Sequence, residues 1–284
     1  MFKNTLKTFT LLAGLGGAFI LVGALLGGTT GIVIGAGFGF GLVGASYWFS
    51  DRLAVRSARA VEVPPGQLDW LRSDLEVLAE RAGIATPRLF LSPDDQPNAF
   101  ATGRNEHTAL VCVTNGLLTT LDRDEVRGVV AHEVAHVRHR DILIGSIAAA
   151  VATGISMLAN MAMFASMFGG GSDDEDAPSP MAALVLALVA PVAATLMQMA
   201  LSRSREFEAD RLGAELVGDP RPLAAALSKL ERSARAVPMD VSPAQATAYI
   251  VNPLTGREVK FSNLFLTHPP TEARIAALLA HAPA

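Results

Sequence analysis

His132, Glu133 and His136 are the residues of this sequence whose types and spacing most directly describe chemistry. Four positions apart on a helix, two side chains lie on one face, one turn apart. That spacing lets both imidazoles reach a single tetrahedral zinc ion. Glu133 stands between them in Ala131-His132-Glu133-Val134-Ala135-His136, where a carboxylate can take a proton from water polarised by the metal. A five-residue pattern of this kind also arises by chance, so a third ligand and a fold are needed to give it meaning.

A catalytic zinc takes three protein ligands and keeps one position open for water. Glu206-Phe207-Glu208-Ala209-Asp210 supplies a candidate third ligand. Glu206 and Asp210 share a helix face, and Glu208 points away. One acid can bind zinc while the other accepts a hydrogen bond from the far nitrogen of a ligand histidine. Glu206 is assigned to the metal, one zinc per chain, and Asp210 to His132. The competing reading is an acidic helix start neutralised by Arg203, Arg205 and Arg211. His139 lies two turns from His132, roughly 10 Å along the axis, and reads as a helix-end residue. Asp141 reads as a helix-end residue or an arginine partner. His107 and His281 have no constellation around them.

The elements that must position these residues lie in an unusual chain. Of its 284 residues 50% are hydrophobic and only 18% charged, and the apolar ones fall in blocks, which argues for membrane spans. The formal net charge of -4 gives no basis for nucleic-acid binding. The only cysteine, Cys112, excludes an intrachain disulfide and a thiolate zinc cluster, and reads as a small core residue.

Residues 8–50 contain no charged side chain, and Gly27-Gly28-Thr29-Thr30-Gly31 divides them into two apolar runs. Each is close to the roughly 20 residues that span a bilayer as a helix. A second pair, Ile142 to Phe168 and Met181 to Leu201, flanks an acidic connection. Lysines and arginines sit at all four outer flanks and in neither short connection, which puts both termini and the polar chain on the cytoplasmic side. Four segments follow: a transmembrane hairpin (1–50), the first part of a cytoplasmic protease domain with the zinc helix (51–141), a second transmembrane hairpin with an acidic external loop (142–201), and the second part of the domain with the third ligand (202–284). The bilayer is thus a partner, and the oligomeric state is open.

Within the polar chain, Leu68, Leu71, Leu75, Leu78 and Ala82 predict a helix stopped by Gly83. Arg88 to Leu91 and Thr108 to Val113 predict short strands. Asp122 with Glu125 predicts a capping box opening the zinc helix, whose apolar side is Val126, Val129, Val130, Val134 and Val137. Further helices are expected near Arg205, from Arg221 to about Ala234, and from Thr271. These elements predict an α-helical membrane protein with four spans and a mainly α, α+β cytoplasmic domain with a small sheet.

The chain resembles the HtpX family of membrane-bound zinc metalloproteases, gluzincins related to the CAAX prenyl endopeptidases. The matching pieces are the amino-terminal hairpin, Pro97-Asn98-Ala99-Phe100-Ala101-Thr102-Gly103, the zinc helix with Asp141 after it, Ser202 to Asp210, and Thr267-His268-Pro269-Pro270-Thr271-Glu272. The resemblance implies that the metalloprotease domain is of gluzincin type, that its small sheet has an edge strand, and that Asn98 and Ala99 lie on that edge strand, which pairs with the substrate backbone. It implies that His268 lies near the active site and stabilises the tetrahedral intermediate; the stretch reads equally as a turn fixed by Pro269 and Pro270. It implies location in the bacterial cytoplasmic (inner) membrane, and substrates that are damaged or misfolded membrane proteins cut on the cytoplasmic side. Two alternatives stand beside it: a prenyl-protein endopeptidase, and a non-catalytic scaffold whose zinc is structural. The first needs a large membrane chamber, for which four spans are few. The second leaves Glu133 without a purpose.

Overall fold

The computed structural model describes residues 2–142, 203–236, 250 and 269–280. In chain order these form α1 (Phe2–Ser57), β1 (Val61–Glu62), α2 (Asp69–Ala82), β2 (Arg88–Ser92), β3 (Ala99–Thr102), β4 (Leu110–Thr114), α3 (Asn115–Thr120), α4 (Arg123–His139), α5 (Arg203–Val217), α6 (Arg221–Ala236) and α7 (Thr271–Leu279).

α1 is not a straight rod. Gly28 has φ +57°, the Phe19 and Phe38 rings meet edge to face with centroids 5.3 Å apart, and Gly23 lies against Gly31. Nineteen residues of straight helix would separate those rings by roughly 28 Å, so the chain reverses at Gly28 and its arms pack through glycine. Among the described residues no helix is long and apolar enough to cross a membrane. The four-span expectation therefore rests on sequence: on residues 8–50, which lack charge, and on 142–201, which lie almost wholly outside the described residues.

The sheet has strand order β1-β2-β4-β3, with β2 and β4 parallel and both outer pairs antiparallel. Alternation assigns the two faces of β4. Val111 and Val113 join the main core against α2 and α4, whereas Leu110 and Cys112 pack with Phe90, Ala60 and Val55 near the end of α1. Cys112 is thus a core residue, and burial pushes its thiol up to about 12, where it is inert. The second strand starts at Leu110 rather than Thr108. Asn105 Oδ1 accepts the amides of His107 and Thr108, and that turn keeps Thr108 out of the ladder. Two elements were not predicted: β1, a single pair of residues, and α3, opened by Thr114 accepting the amide of Leu117 at 3.1 Å.

α4 is the central element. Asp122 accepts the Glu125 amide while Glu125 accepts that of Asp122, completing the predicted capping box. Lys229 on α6 donates to Glu125 at 2.6 Å, so the cap is also a tertiary contact. All five expected valines are buried. α2 closes on Gly83, at φ +66°, as its sequence predicts. α4 packs on α2, β3, α5 and α6, and so joins the two parts of the domain. The joint is close: a Cβ on Gly213 would meet His132 N at 3.0 Å, and one on Gly128 would meet Leu223 N at 2.9 Å. Arg81 adds a tie by donating to the Leu216 carbonyl at 2.6 Å.

Gly213→Val should therefore force α5 away from α4. The expected cost is ~1–3 kcal/mol of stability, by the usual penalty of overpacking. The thermal unfolding midpoint of the detergent-purified full chain checks it; an unchanged midpoint would show the crossing to be looser than described.

Candidate active site

His132 and His136 occupy successive turns of α4, as their spacing requires, and their Nε2 atoms lie 3.1 Å apart. Two neutral imidazoles with lone pairs facing at that distance repel, so a cation or a shared proton must sit between them. Glu206, on the first turn of α5, completes the group: its Oε2 is 3.7 Å from His132 Nε2 and its Oε1 3.7 Å from His136 Nε2. The three donors converge within 4.8 Å of one another. A tetrahedral zinc with bonds of about 2.0–2.1 Å separates its ligand atoms by roughly 3.3 Å, and the observed spacings straddle that value. Two nitrogens and a carboxylate form a donor set that suits zinc.

The other imidazole nitrogens face carboxylates. His132 Nδ1 lies 2.9 Å from Asp210 Oδ1, and His136 Nδ1 lies 3.5 Å from Asp141 Oδ2. This orientation leaves each Nε2 directed at the shared point. Asp210 is gripped in turn by Arg274 on α7. Arg274 Nε donates to Oδ2 at 2.8 Å and Nη2 to Oδ1 at 2.7 Å, while Nη1 donates to the Ile250 carbonyl at 2.8 Å. Arg274 is 1% exposed, the most buried charge in the site.

The acidic-helix alternative for α5 does not describe these residues. Glu206 and Asp210 are buried, Glu208 is exposed, and Arg211 is spent on Glu215 at 2.7 Å on the surface.

Electrostatics follow from burial. Burial is the largest influence on Glu133 and, with His136 opposing and nearby Glu206 adding to it, leaves the carboxyl raised to about 7. Burial also works against a charged His136, but Asp141, Glu206 and Glu133 outweigh it and raise that imidazole to about 9. His132 goes the other way, because its burial exceeds what Asp210 returns. For Asp210 burial is outweighed by Arg274, which holds the carboxyl near about 2. The pocket is one that favours a cation between the histidines.

Among the described residues β3 lies at the sheet edge, packed against α4, and the Ala101 backbone favours the charged form of Glu133. Asn98 is buried: its Oδ1 accepts the Ile250 amide at 3.2 Å and its backbone pairs with Thr114. Ala99 is buried too. Their side chains therefore serve the fold. His268 and His281 lie outside the described residues, whereas His107 is exposed on the surface beside Glu106. His139 is half-buried on α4, away from the group of three. Sequence reasoning missed Arg274. The available signal was a charged residue four positions before Leu278 on the inner face of a short helix.

Two imidazoles and a carboxylate around one cation position, with a buried acid alongside, define metal-assisted hydrolysis as the chemistry, and metallopeptidases as the class. The family model "Peptidase family M48" matches residues 65–282, and the chain belongs to that family of zinc metalloproteases. It is 47% identical over 279 residues to a "Protease HtpX homolog" of Persephonella marina, covering 97% of this chain and 96% of that one. A "Protease HtpX homolog" of Methylibium petroleiphilum is 45% identical over 283 residues, covering 99% and 98%. The crystal structure of S. mikatae Ste24p shares the fold, with a TM-score of 0.52 and 18% identity over 98% of this chain and 66% of that one.

Two outcomes follow. Arg274→Met strands the buried Asp210 charge and should cost ~3–5 kcal/mol in stability, the usual penalty for halving a buried pair; thermal unfolding against wild type checks it. In the metal-free protein His136 holds its proton below about pH 9, and a ligand must lose it. Zinc affinity, measured by chelator competition, should therefore rise roughly tenfold per pH unit from about pH 7 and level off near 9. A flat profile would refute the assignment of that proton.

Proposed function

We propose that this chain is a zinc endopeptidase of the cytoplasmic membrane that cleaves misfolded or damaged membrane proteins on the cytoplasmic side. The observation that carries the catalytic part is the convergence of His132, His136 and Glu206 beside the buried Glu133. The membrane part is supported by the uncharged run at 8–50, the apolar pair within 142–201 and the basic residues at their outer flanks.

In this reading His132, His136 and Glu206 hold the metal, and Asp210 orients His132. Bound there, zinc supplies Lewis acidity, polarising the substrate carbonyl and lowering the pKa of water. Glu133 takes a proton from the attacking water and returns it to the leaving amine. A carboxyl near pH 7 is matched to both transfers. The edge strand β3 receives the substrate as an added strand through its backbone, with Asn98 and Ala99 fixing where the strand begins. His268 is retained as a candidate for stabilising the tetrahedral oxyanion.

Glu133→Gln should keep the zinc and lose cleavage of casein or a membrane substrate by ~10²–10⁴-fold or more, the range for a general acid–base. Zinc content by elemental analysis and cleavage rate are read on one preparation. A variant with full zinc and a wild-type rate sinks the mechanism.

A further inference from the structure

His132 and His136 meet the metal position in the same way, and behind His132 stand Asp210 and Arg274. The corresponding groups around His136 come from both parts of the chain. α4 ends with Arg140 at φ +59°, a left-handed residue that turns the backbone back on itself. The Asp141 amide then donates to the His136 carbonyl at 3.0 Å, the long bond of a Schellman motif. This places the Asp141 side chain over the ring of the residue it is bonded to, with Oδ2 3.5 Å from Nδ1. Its other oxygen faces Arg205 Nη1 at 3.6 Å. Asp141 and Arg205 are only 8% and 7% exposed. Arg205 directly precedes Glu206 on the first turn of α5.

We propose that Asp141 and Arg205 are positioning residues for His136, a second histidine–aspartate–arginine chain parallel to His132–Asp210–Arg274. Asp141 holds the ring with Nδ1 turned outward and Nε2 turned to the metal position. Arg205 holds Asp141 and so fastens the end of α4 to the start of α5, from which Glu206 reaches the same point. The two chains interlock: α5 contributes the aspartate of one and the arginine of the other. The contacts around Asp141 are longer than those around Asp210, so its effect is the smaller of the two. The proposal rests on the reading of His132, His136 and Glu206 as the zinc site.

The test uses the full chain in detergent and measures zinc affinity by competition with a chromophoric chelator. Loss of a residue behind a ligand histidine weakens metal binding by roughly 10–100-fold. Compared at a pH above that at which His136 loses its proton, so that no proton competes with the metal in any form, Asp141→Asn and Arg205→Met should each weaken zinc about tenfold, and Asp210→Asn up to about a hundredfold. The double variant should remain near tenfold, because each substitution removes what the other needs. Arg205→Lys should regain part of the loss, and the exposed Arg211→Ala should change nothing. The visible spectrum of the cobalt-substituted protein, read well below the metal-free unfolding midpoint of each form, should differ between wild type and Asp141→Asn; halving the buried pair lowers that midpoint without bearing on the spectrum. Should Asp141→Asn not accumulate, the Arg205 variants carry the same comparison.

Wild-type affinity in Asp141→Asn and Arg205→Met, with Asp210→Asn weakened, overturns the proposal and leaves the zinc site standing. A double variant near a hundredfold shows two independent residues and overturns the pairing. A cobalt spectrum in Asp141→Asn identical to that of wild type overturns it as well. A wild-type protein that binds no zinc removes the site itself.

Discussion

The closeness of α4 and α5 is the constraint on which the rest depends. A metal with bonds of about 2 Å requires ligand atoms within a few ångströms of one another, yet the ligands come from helices separated by the apolar pair within 142–201. Side chains the length of histidine and glutamate bridge that gap only when the backbones nearly touch. Gly213 permits this, because its missing Cβ is the space that His132 N and Cα occupy. Gly128 does the same for α6 one turn earlier on α4. The capping box and Lys229 fix where α4 begins, and the Schellman turn at Arg140 fixes where it ends. Precision at the three donors is thus inherited from backbone packing.

A second constraint is charge. The site buries Glu133, Glu206, Asp210 and Asp141 with the cations Arg274 and Arg205. Single buried charges are costly, and they are retained when neighbours satisfy them. Arg274 is placed to do most of this, with three of its nitrogens engaged on Asp210 and the Ile250 carbonyl. The remaining imbalance is negative and centred between the histidines, as the elevation of His136 to about 9 records. A divalent cation at that point relieves both the imidazole lone-pair repulsion and the excess of carboxylate. Folding and metal binding are coupled through the same groups.

Much of this was legible in the sequence for a simple reason: it is local. The capping box, the leucine period of α2 and the glycine that stops it are one-dimensional signals, and each appears where its residues require. The histidine spacing is local too. Glu206 and Asp210 could be nominated because their spacing puts both on one face, although their encounter with the histidines is tertiary. What escaped was tertiary in the stricter sense. Arg274 is one arginine in a nine-residue helix, and nothing near it in sequence says that it is buried on Asp210. Asp141 reads as a helix-end residue or an arginine partner; it follows the end of α4 and faces Arg205, and what escaped was its approach to His136. Its second role comes from a left-handed arginine, a conformation sequence disfavours and therefore does not advertise. β1 and α3 were missed because two and six residues carry no period.

The contrast between Glu133 and the three donors bears on whether the site is structural or catalytic. A structural zinc is closed by a fourth protein ligand, which leaves no position for water. Among the described residues three donors converge, not four. Glu133 meanwhile sits in the core at a cost that no packing role repays, since a buried carboxyl near pH 7 is one that would rather be neutral. Groups held against their solvation preference belong where chemistry uses the resulting proton affinity. Glu133 directly follows His132 and lies three residues before His136 on α4, and the backbone of Ala101 on β3 favours its charged form. It therefore lies between the metal position and β3, and the strand addition proposed for that edge would bring a peptide bond to the same place.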